Sequence, residues 1–487
     1  MEEVHSLHRK IIISRIIIPW NSLTSCYLLY LTFSKYLFMK PIPERKRIPV
    51  LTDLLEIRQM VTDPLGFCRD KVKKYGDVCY VPIPGSRNYM IHDPEIIREF
   101  LVAQSGKFRK SRLYRAMWSF LGDGLLTSNG SYHTQQRKLA APAFHRQRIQ
   151  EYAHTMVQCT RDEIRNWEPG DTVNVSQAMT NIALQVVTKT LFNSEMDAQR
   201  IARLSDRMRI LLDTAGEIFK NPLYLLCLEK NISIPIVKKL HTLTKEVNED
   251  LLEIITAYRK DSSIGRGDLL SMLMEASDEA TGIGMTDKQL RDEVMTMFMA
   301  GHETTATALT WTWYLLGKHP EVADAFYREV GGVIGTRIPK VEDYQSLPFT
   351  KNIFKETLRL YPPAWTIARE ATEDVTIQDY HFTKGSALAV VIYLMHRNEK
   401  YFADPDAFIP QRWDDEKMSA LPKFVYFPFG AGNRMCIGEG FAWMEAVMIL
   451  ATMGSTFRLK LPEGFETSVY AAFTLRQKDA VMMKVVA

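Results

Sequence analysis

One segment sets the length scale for everything else in the chain. Thr286, followed three residues later by Gln289, is a capping-box signature for a helix start, and Pro320 marks the far end. The helix between them would run about 48 Å at a rise of 1.5 Å per residue, long enough to cross the molecule. At its middle stands Ala300-Gly301-His302-Glu303-Thr304-Thr305. Glycine, an acid and hydroxyls each weaken a helix interior, so their choice there calls for a chemical reason. A zinc-protease helix of the form H-E-x-x-H is excluded, because the second histidine position is Ala306.

The rest of the chain wraps this rod mostly in helix. Apolar residues recur with helical spacing over residues 147–167, 180–191, 196–219 and 236–259. Short strand-like runs fall at 78–83, 89–92, 375–377, 387–392, 472–475 and 481–486. Strands do not alternate with helices, and Gly331-Gly332 and Gly335 follow a helix, so they read as a turn and not as a dinucleotide loop. The expected fold is mainly α with small β-sheets. At 46% hydrophobic and 24% charged the chain is ordinary globular material, not a disordered or polytopic membrane protein. A net charge of +4 over 487 residues argues against a nucleic-acid binder. Six scattered cysteines without C-x-x-C spacing fit a reducing compartment better than a disulfide framework.

Residues 16–34 carry no charge, close to the roughly 20 apolar residues that a membrane span requires. Pro19, Asn21, Ser22, Thr24, Ser25, Thr32 and Ser34 interrupt them, and basic residues on both sides choose no orientation. No small-residue cleavage site follows, which argues against a secretory signal. Residues 1–38 are read as an N-terminal extension, either a weak membrane anchor or a stretch upstream of a true start at Met39. Residues 39–487 form the main domain. The expected location is cytoplasmic, with any membrane contact made through the extension.

The strongest local signal is Phe429-Gly430-Ala431-Gly432-Asn433-Arg434-Met435-Cys436-Ile437-Gly438. Its glycines let the backbone approach something bulky and flat, and its cysteine opens a helical stretch at 441–453. A thiolate there is stabilised by the helix dipole and free N–H groups, which also tune a metal-ligated sulfur. Arg434 is placed to neutralise a bound anion. An inert buried cysteine in a turn would explain neither the glycines nor the arginine.

Phe429, Gly432, Arg434, Cys436 and Gly438 resemble the haem-binding loop of the cytochrome P-450 superfamily, the haem-thiolate monooxygenases. The resemblance implies haem b (iron protoporphyrin IX) with Cys436 as axial metal ligand and Arg434 on a propionate, with Phe429 and Gly430 beside the cofactor. It implies the P-450 fold, with the long helix over the haem, and makes residues 39–487 the catalytic domain. Further motifs follow in the family's order. Glu356 and Arg359 lie three apart on one helix face, where they can pair; with Arg412 they resemble the family's structural Glu-Arg-Arg network. The Ala300–Thr305 run resembles the oxygen-activation groove, which assigns Glu303 and Thr304 to proton relay. His133 and Arg137 resemble a W-x-x-x-R propionate pair with histidine in place of tryptophan. Arg369, placed just before a strand, resembles another propionate arginine. His396 belongs to a His-Arg pair that resembles a family feature without a chemical role of its own.

The activity implied is insertion of one oxygen atom from O2 into a hydrophobic substrate, with no nucleic-acid partner. Because no flavin or nicotinamide domain follows Ala487, electrons are expected from separate proteins, a ferredoxin with its reductase or a flavoprotein reductase. The resemblance places Met117, Trp118, Phe120, Leu121, Phe298, Ala300, Ala364, Trp365, Ile367 and Phe473 around the substrate pocket, although such residues are core packing by default. The runs 300–311 and 358–365 resemble bacterial carotenoid-ring hydroxylases and fatty-acid hydroxylases alike. A peroxide-driven or non-oxidative haem-thiolate enzyme and a non-catalytic haem-binding sensor are the competing readings.

Overall fold

The computed structural model describes residues 51–486, apart from short stretches at 82–86, 112–113, 193–197, 221–223, 225–226, 229, 261–266, 279–281 and 415. The N-terminal extension with its uncharged segment 16–34 therefore lies outside the described residues. In chain order, the helices that shape the site are α1 (Arg115–Leu121), α2 (Gly130–Ala140), α3 (Arg146–Ile164), α4 (Val175–Leu191), α5 (Ala198–Lys220), α6 (Pro235–Lys260), α7 (Asp287–Lys318), α8 (Pro320–Val333), α9 (Pro348–Leu360) and α10 (Glu439–Gly454).

The long rod is α7, 32 residues capped as expected. The Gln289 amide N–H donates to Thr286 Oγ1 at 3.3 Å, and the Thr286 N–H donates to Gln289 Oε1 at 2.8 Å. From Leu290 to Leu316 most of its side chains are buried, so this helix has no solvent face and runs through the interior. It packs along α4, while α3 lies against both α4 and α10, and α5 pairs with α6. Two apolar cores divide its length. Leu309, Trp311, Trp313 and Leu316 pack with α3, α4, α8 and α10; Leu290, Val294 and Phe298 pack with α1, α5 and α6.

Twelve short strands complete the described fold: β1 (Val78–Val81), β2 (Asn88–Ile91), β3 (Phe108–Lys110), β4 (Thr172–Asn174), β5 (Thr366–Ala371), β6 (Val375–Ile377), β7 (Tyr380–Phe382), β8 (Ala387–Val391), β9 (Arg458–Lys460), β10 (Val469–Ala471), β11 (Leu475–Gln477) and β12 (Met482–Val486). The largest sheet has the order β1-β2-β8-β5-β3, with only β2 and β8 parallel. Three details differ from the sequence reading. Residues 472–474 are not strand but the turn of the β10–β11 hairpin, in which Ala471 faces Leu475. Arg369 lies inside β5 and not ahead of it, paired with Lys110 of β3. Gly331 and Gly332 continue α8 to its last turn, and only Gly335, at φ 61°, makes the bend.

Glu356 and Arg359 of α9 are fully buried and form a two-pronged ion pair, with Nε to Oε2 at 2.9 Å and Nη2 to Oε1 at 2.8 Å. Arg412 Nε, Trp413 Nε1 and the Ile409 N–H also donate to the Glu356 carboxylate, at 2.8, 2.9 and 3.1 Å. Arg359 spends its remaining donors on the carbonyls of His396, Pro405 and Ala407. Removing one member of such a buried set strands the others' charges, at a cost of about 3–5 kcal/mol. Glu356→Ala is therefore expected to lower the unfolding free energy by that amount, read as a fall in the urea midpoint, and to yield protein poor in cofactor. An unfolding curve that overlays the wild type would show that the pair carries no stability.

His396 links this network to the cysteine loop. Its Nε2 accepts the Phe427 N–H at 3.0 Å and its ring stacks on Tyr426. Burial, with Arg359 close by, pushes its pKa from 6.5 down to about 3, so the ring is neutral in the folded protein. The unfolded chain takes up a proton near pH 6.5 that the folded chain refuses, so this contribution to stability is lost as pH falls below 6.5. Between pH 7 and pH 5 the loss from this one group is about 2 kcal/mol. His396→Gln keeps an acceptor for Phe427 and should flatten the acid slope of stability by nearly one proton; an unchanged slope would place that titration elsewhere.

Candidate active site

Cys436 sits in the turn between β8 and α10, with its N–H donating to Phe429 O at 2.9 Å. The helix begins at Glu439, three residues on, with Gly438 at its N-cap. The side chain lies deep among protein atoms yet keeps accessible surface, as a group facing an interior opening does. Burial pushes its thiol up to about 11, opposed by the Gly438 N–H and by Arg137. Cys79, Cys159 and Cys227 are buried in the cores. The glycines of the loop have a more local purpose than the sequence suggests. A Cβ on Gly432, at φ 70°, would stand 2.1 Å from Leu101 O, and one on Gly430, at φ 73°, would meet Ile367 Cδ1 at 3.3 Å. The loop needs glycine to pack against the Glu99–Ala103 turn and β5.

Beside the cysteine lies a cluster of cations. Arg434 donates through Nη2 to Ser128 O at 2.8 Å and to Asn129 Oδ1 at 3.2 Å, while its buried Nη1 has no partner among the described residues. Arg137 Nη1 donates to Met435 O at 2.8 Å. Arg369 is buried in β5 and donates to Ala368 O. Lys110, which the motifs did not single out, is buried beside them with its ammonium 4.5 Å from the Tyr114 ring centre. Burial together with Arg369 and Arg434 drives the Lys110 pKa far below its usual value. Burial and the same cations push His133 down to about 3, and Arg434 falls to about 10. Buried cations gathered in this way make a strong site for a dianion. A thiol facing an opening, an orphaned guanidinium N–H and a ring of positive donors together fit an iron porphyrin with two carboxylates.

On α7 the Thr304 hydroxyl donates to Ala300 O at 2.6 Å, the back-bond of a helix-interior threonine. Ala300 and Thr304 nevertheless keep accessible surface where their neighbours are buried. Glu303 Oε1 accepts from Thr474 Oγ1 at 2.6 Å, from Arg476 Nε at 2.9 Å and from Arg476 Nη2. Neither Thr474 nor Arg476 was singled out from the sequence.

The residues expected around a substrate divide. Met117, Phe120 and Phe473 line one narrow cavity with Leu212, Ala215, Met299, Glu303 and Arg476. Ala364, Trp365 and Ile367 keep some accessible surface, and Trp365 Nε1 donates to Ala472 O at 2.9 Å. Trp118 Nε1 donates to Thr127 O at 3.0 Å. Leu121 and Phe298 are packed into the second core.

A helical body threaded by one long buried helix, with a cysteine loop and a cationic cradle, defines a haem-thiolate protein. The family model for cytochrome P-450 matches residues 41–482, and the chain belongs to that family. It is 32% identical to cyclooctatin synthase of Streptomyces melanosporofaciens over 82% of this chain and 86% of that protein. Cyclooctat-9-en-7-ol 5-monooxygenase of the same organism is also 32% identical, covering 82% and 85%. Among solved structures, the cytochrome P450DA heme domain superposes with a TM-score of 0.79 at 25% identity, over 92% of this chain and 96% of that one. The protein is accordingly a monooxygenase whose cofactor is haem b with a cysteine ligand. Among the described residues no helix is long and apolar enough to cross a membrane.

Cys436→His is expected to retain part of the haem and to lose monooxygenation, because imidazole donates less electron density than thiolate. The reduced, carbon-monoxide-bound spectrum reads this directly. A thiolate-type spectrum in the variant would assign the ligand to another cysteine.

Proposed function

We propose that this monooxygenase inserts one oxygen atom from O2 into an apolar, lipid-like substrate, a carotenoid-like isoprenoid or a fatty acyl chain, with electrons from separate redox proteins. The observation that carries the reading is the family match over residues 41–482, and the side chains of Met117, Phe120, Leu212, Ala215, Met299 and Phe473, which meet beside the midpoint of α7 around a gap of about 20 Å³, are all apolar. Apolar walls favour an apolar ligand by removing its surface from water, at about 25 cal/mol per Å². A relative named for an alkenol, cyclooctat-9-en-7-ol, supports the same class. A spin-state titration of the haem-loaded protein with isoprenoids and fatty acids tests it, and a panel without any shift would count against it.

The haem supplies activation of dioxygen when bound; the chain supplies its placement and the protons. Cys436 would hold the iron, and Lys110, His133, Arg137, Arg369 and Arg434 would surround the propionates. Thr304, on the accessible strip of α7 with Ala300, is assigned to hold a water near the reacting oxygen. Glu303 would resupply protons, since it and His302 line a polar cleft with Gln177, Thr180 and Asp479 on the other side of the helix. The family match beginning at residue 41 supports treating residues 1–38 as dispensable for this chemistry.

Thr304→Ala is expected to bind haem and substrate normally and still to consume electrons, while diverting much of that flow to hydrogen peroxide. The measurement is product formed per reduced donor consumed, with peroxide quantified alongside. If the back-bond to Ala300 is the hydroxyl's whole role, coupling will be unchanged and only stability will move.

A further inference from the structure

The turn that joins β10 to β11 contains neither glycine nor proline, yet its backbone is gripped from two sides by residues far away in the chain. On one side the segment after α9 runs Tyr361-Pro362-Pro363-Ala364-Trp365, stiffened by its two prolines. The Leu475 N–H donates to Pro363 O at 3.0 Å, and Trp365 Nε1 donates to Ala472 O at 2.9 Å. The Trp365 ring packs against Cys79, Met90 and Val391, so this grip is anchored in the largest sheet. On the other side stands Trp311 of α7, fully buried and stacked on Tyr361 with ring centres 3.8 Å apart. Its Nε1 donates to Leu475 O at 2.8 Å. Leu475 is thus held twice over. The leading end of the turn is held by Trp365, for the other bond at Ala472, from its N–H to Thr474 O at 3.2 Å, stays within the turn.

Phe473 is the next residue after Ala472. It meets Met117, Phe120 and Met299 around a gap of about 20 Å³, the room of a single water. With the ring in that position nothing larger enters there, so where Phe473 stands decides how much space beside α7 a ligand can use. A phenylalanine has two side-chain torsions in a few staggered states, so its reach follows the position of its own backbone. That backbone is fixed by the bond at the preceding carbonyl. We infer that Trp365 is a specificity-determining positioning residue: by holding Ala472 O, its indole fixes how far Phe473 reaches into the substrate site, and so how bulky a substrate the site admits. This rests on the reading that Phe473 borders the substrate. Trp365 then acts on the substrate through Phe473.

The test is a titration of the haem-loaded full chain with imidazole and with 1-(biphenyl-4-yl)imidazole, following the Soret shift. Both ligate haem iron through one ring nitrogen, and they differ by a rigid arm of two rings, so the ratio of their affinities reads the room beside the iron. Trp365→Phe keeps an aromatic ring and removes the donor. It should raise the affinity for the biphenyl ligand relative to imidazole by about 5- to 10-fold, the worth of one lost hydrogen bond. Phe473→Ala should raise the same ratio at least as much, and Trp365→Phe should add nothing in that background. Trp365→Met, which also lacks a donor and packs adaptably, enters the cycle if Trp365→Phe yields no haem-loaded protein. A ratio unchanged or lowered by the Trp365 variant, or raised equally with and without the Phe473 ring, overturns the tether while the placement of Phe473 stands. A ratio unmoved by Phe473→Ala takes Phe473 out of the substrate site and overturns both.

Discussion

A carboxylate with no access to water holds the lower half of this molecule together. Glu356 is tolerable in the interior only because both of its oxygens are filled, by two arginines, an indole and a backbone N–H. A buried ion pair of this kind recovers its desolvation cost only when the spare lone pairs and protons are also matched. Arg359 meets that condition by gathering the carbonyls of His396, Pro405 and Ala407, so α9 and the irregular chain after β8 form one unit. His396 then passes the constraint to Phe427, two residues before the cysteine loop opens. The position of Cys436 is thus set from a helix some eighty residues earlier in the chain.

The opposite imbalance prevails beside the cysteine. Burial with Arg369 and Arg434 depresses Lys110 and His133, and Arg434 is itself depressed by burial and Arg369, with only the Tyr114 phenol opposing. A folded state that concentrates positive charge in this way is stabilised by whatever dianion it accepts, since the unfolded chain offers no comparable site. Folding and cofactor capture are therefore coupled through electrostatics as well as through the iron ligand.

Much of this was legible in the sequence because it is encoded locally. The capping box and Pro320 bound α7, and the pair at 356 and 359 lies on one turn of helix. The cysteine loop declares itself by composition. What was missed depends on tertiary placement. Lys110 gains its meaning only when β3 pairs with β5 and sets it against Arg369. The run Ala472-Phe473-Thr474-Leu475 has strand-like residues but turns, and nothing glycine- or proline-like marks the bend. The close approach of Gly432 to Leu101 O was likewise invisible in the sequence, because Leu101 lies more than three hundred residues away in the chain.

The β10–β11 hairpin has a further consequence for how this chain could change over evolutionary time. Thr474 reaches Glu303 from the end of the three-residue turn and Arg476 from the middle of β11, so the length of that turn sets which side chains face α7. Lengthening or shortening that turn by one residue would reverse the alternation along β11, carrying Arg476 outward and turning Leu475 toward the carboxylate. A single insertion or deletion could thus exchange a polar wall for an apolar one in one step, leaving the machinery around the cysteine untouched. Turn length, more than the identity of any one residue, is the inheritable dial on this part of the molecule.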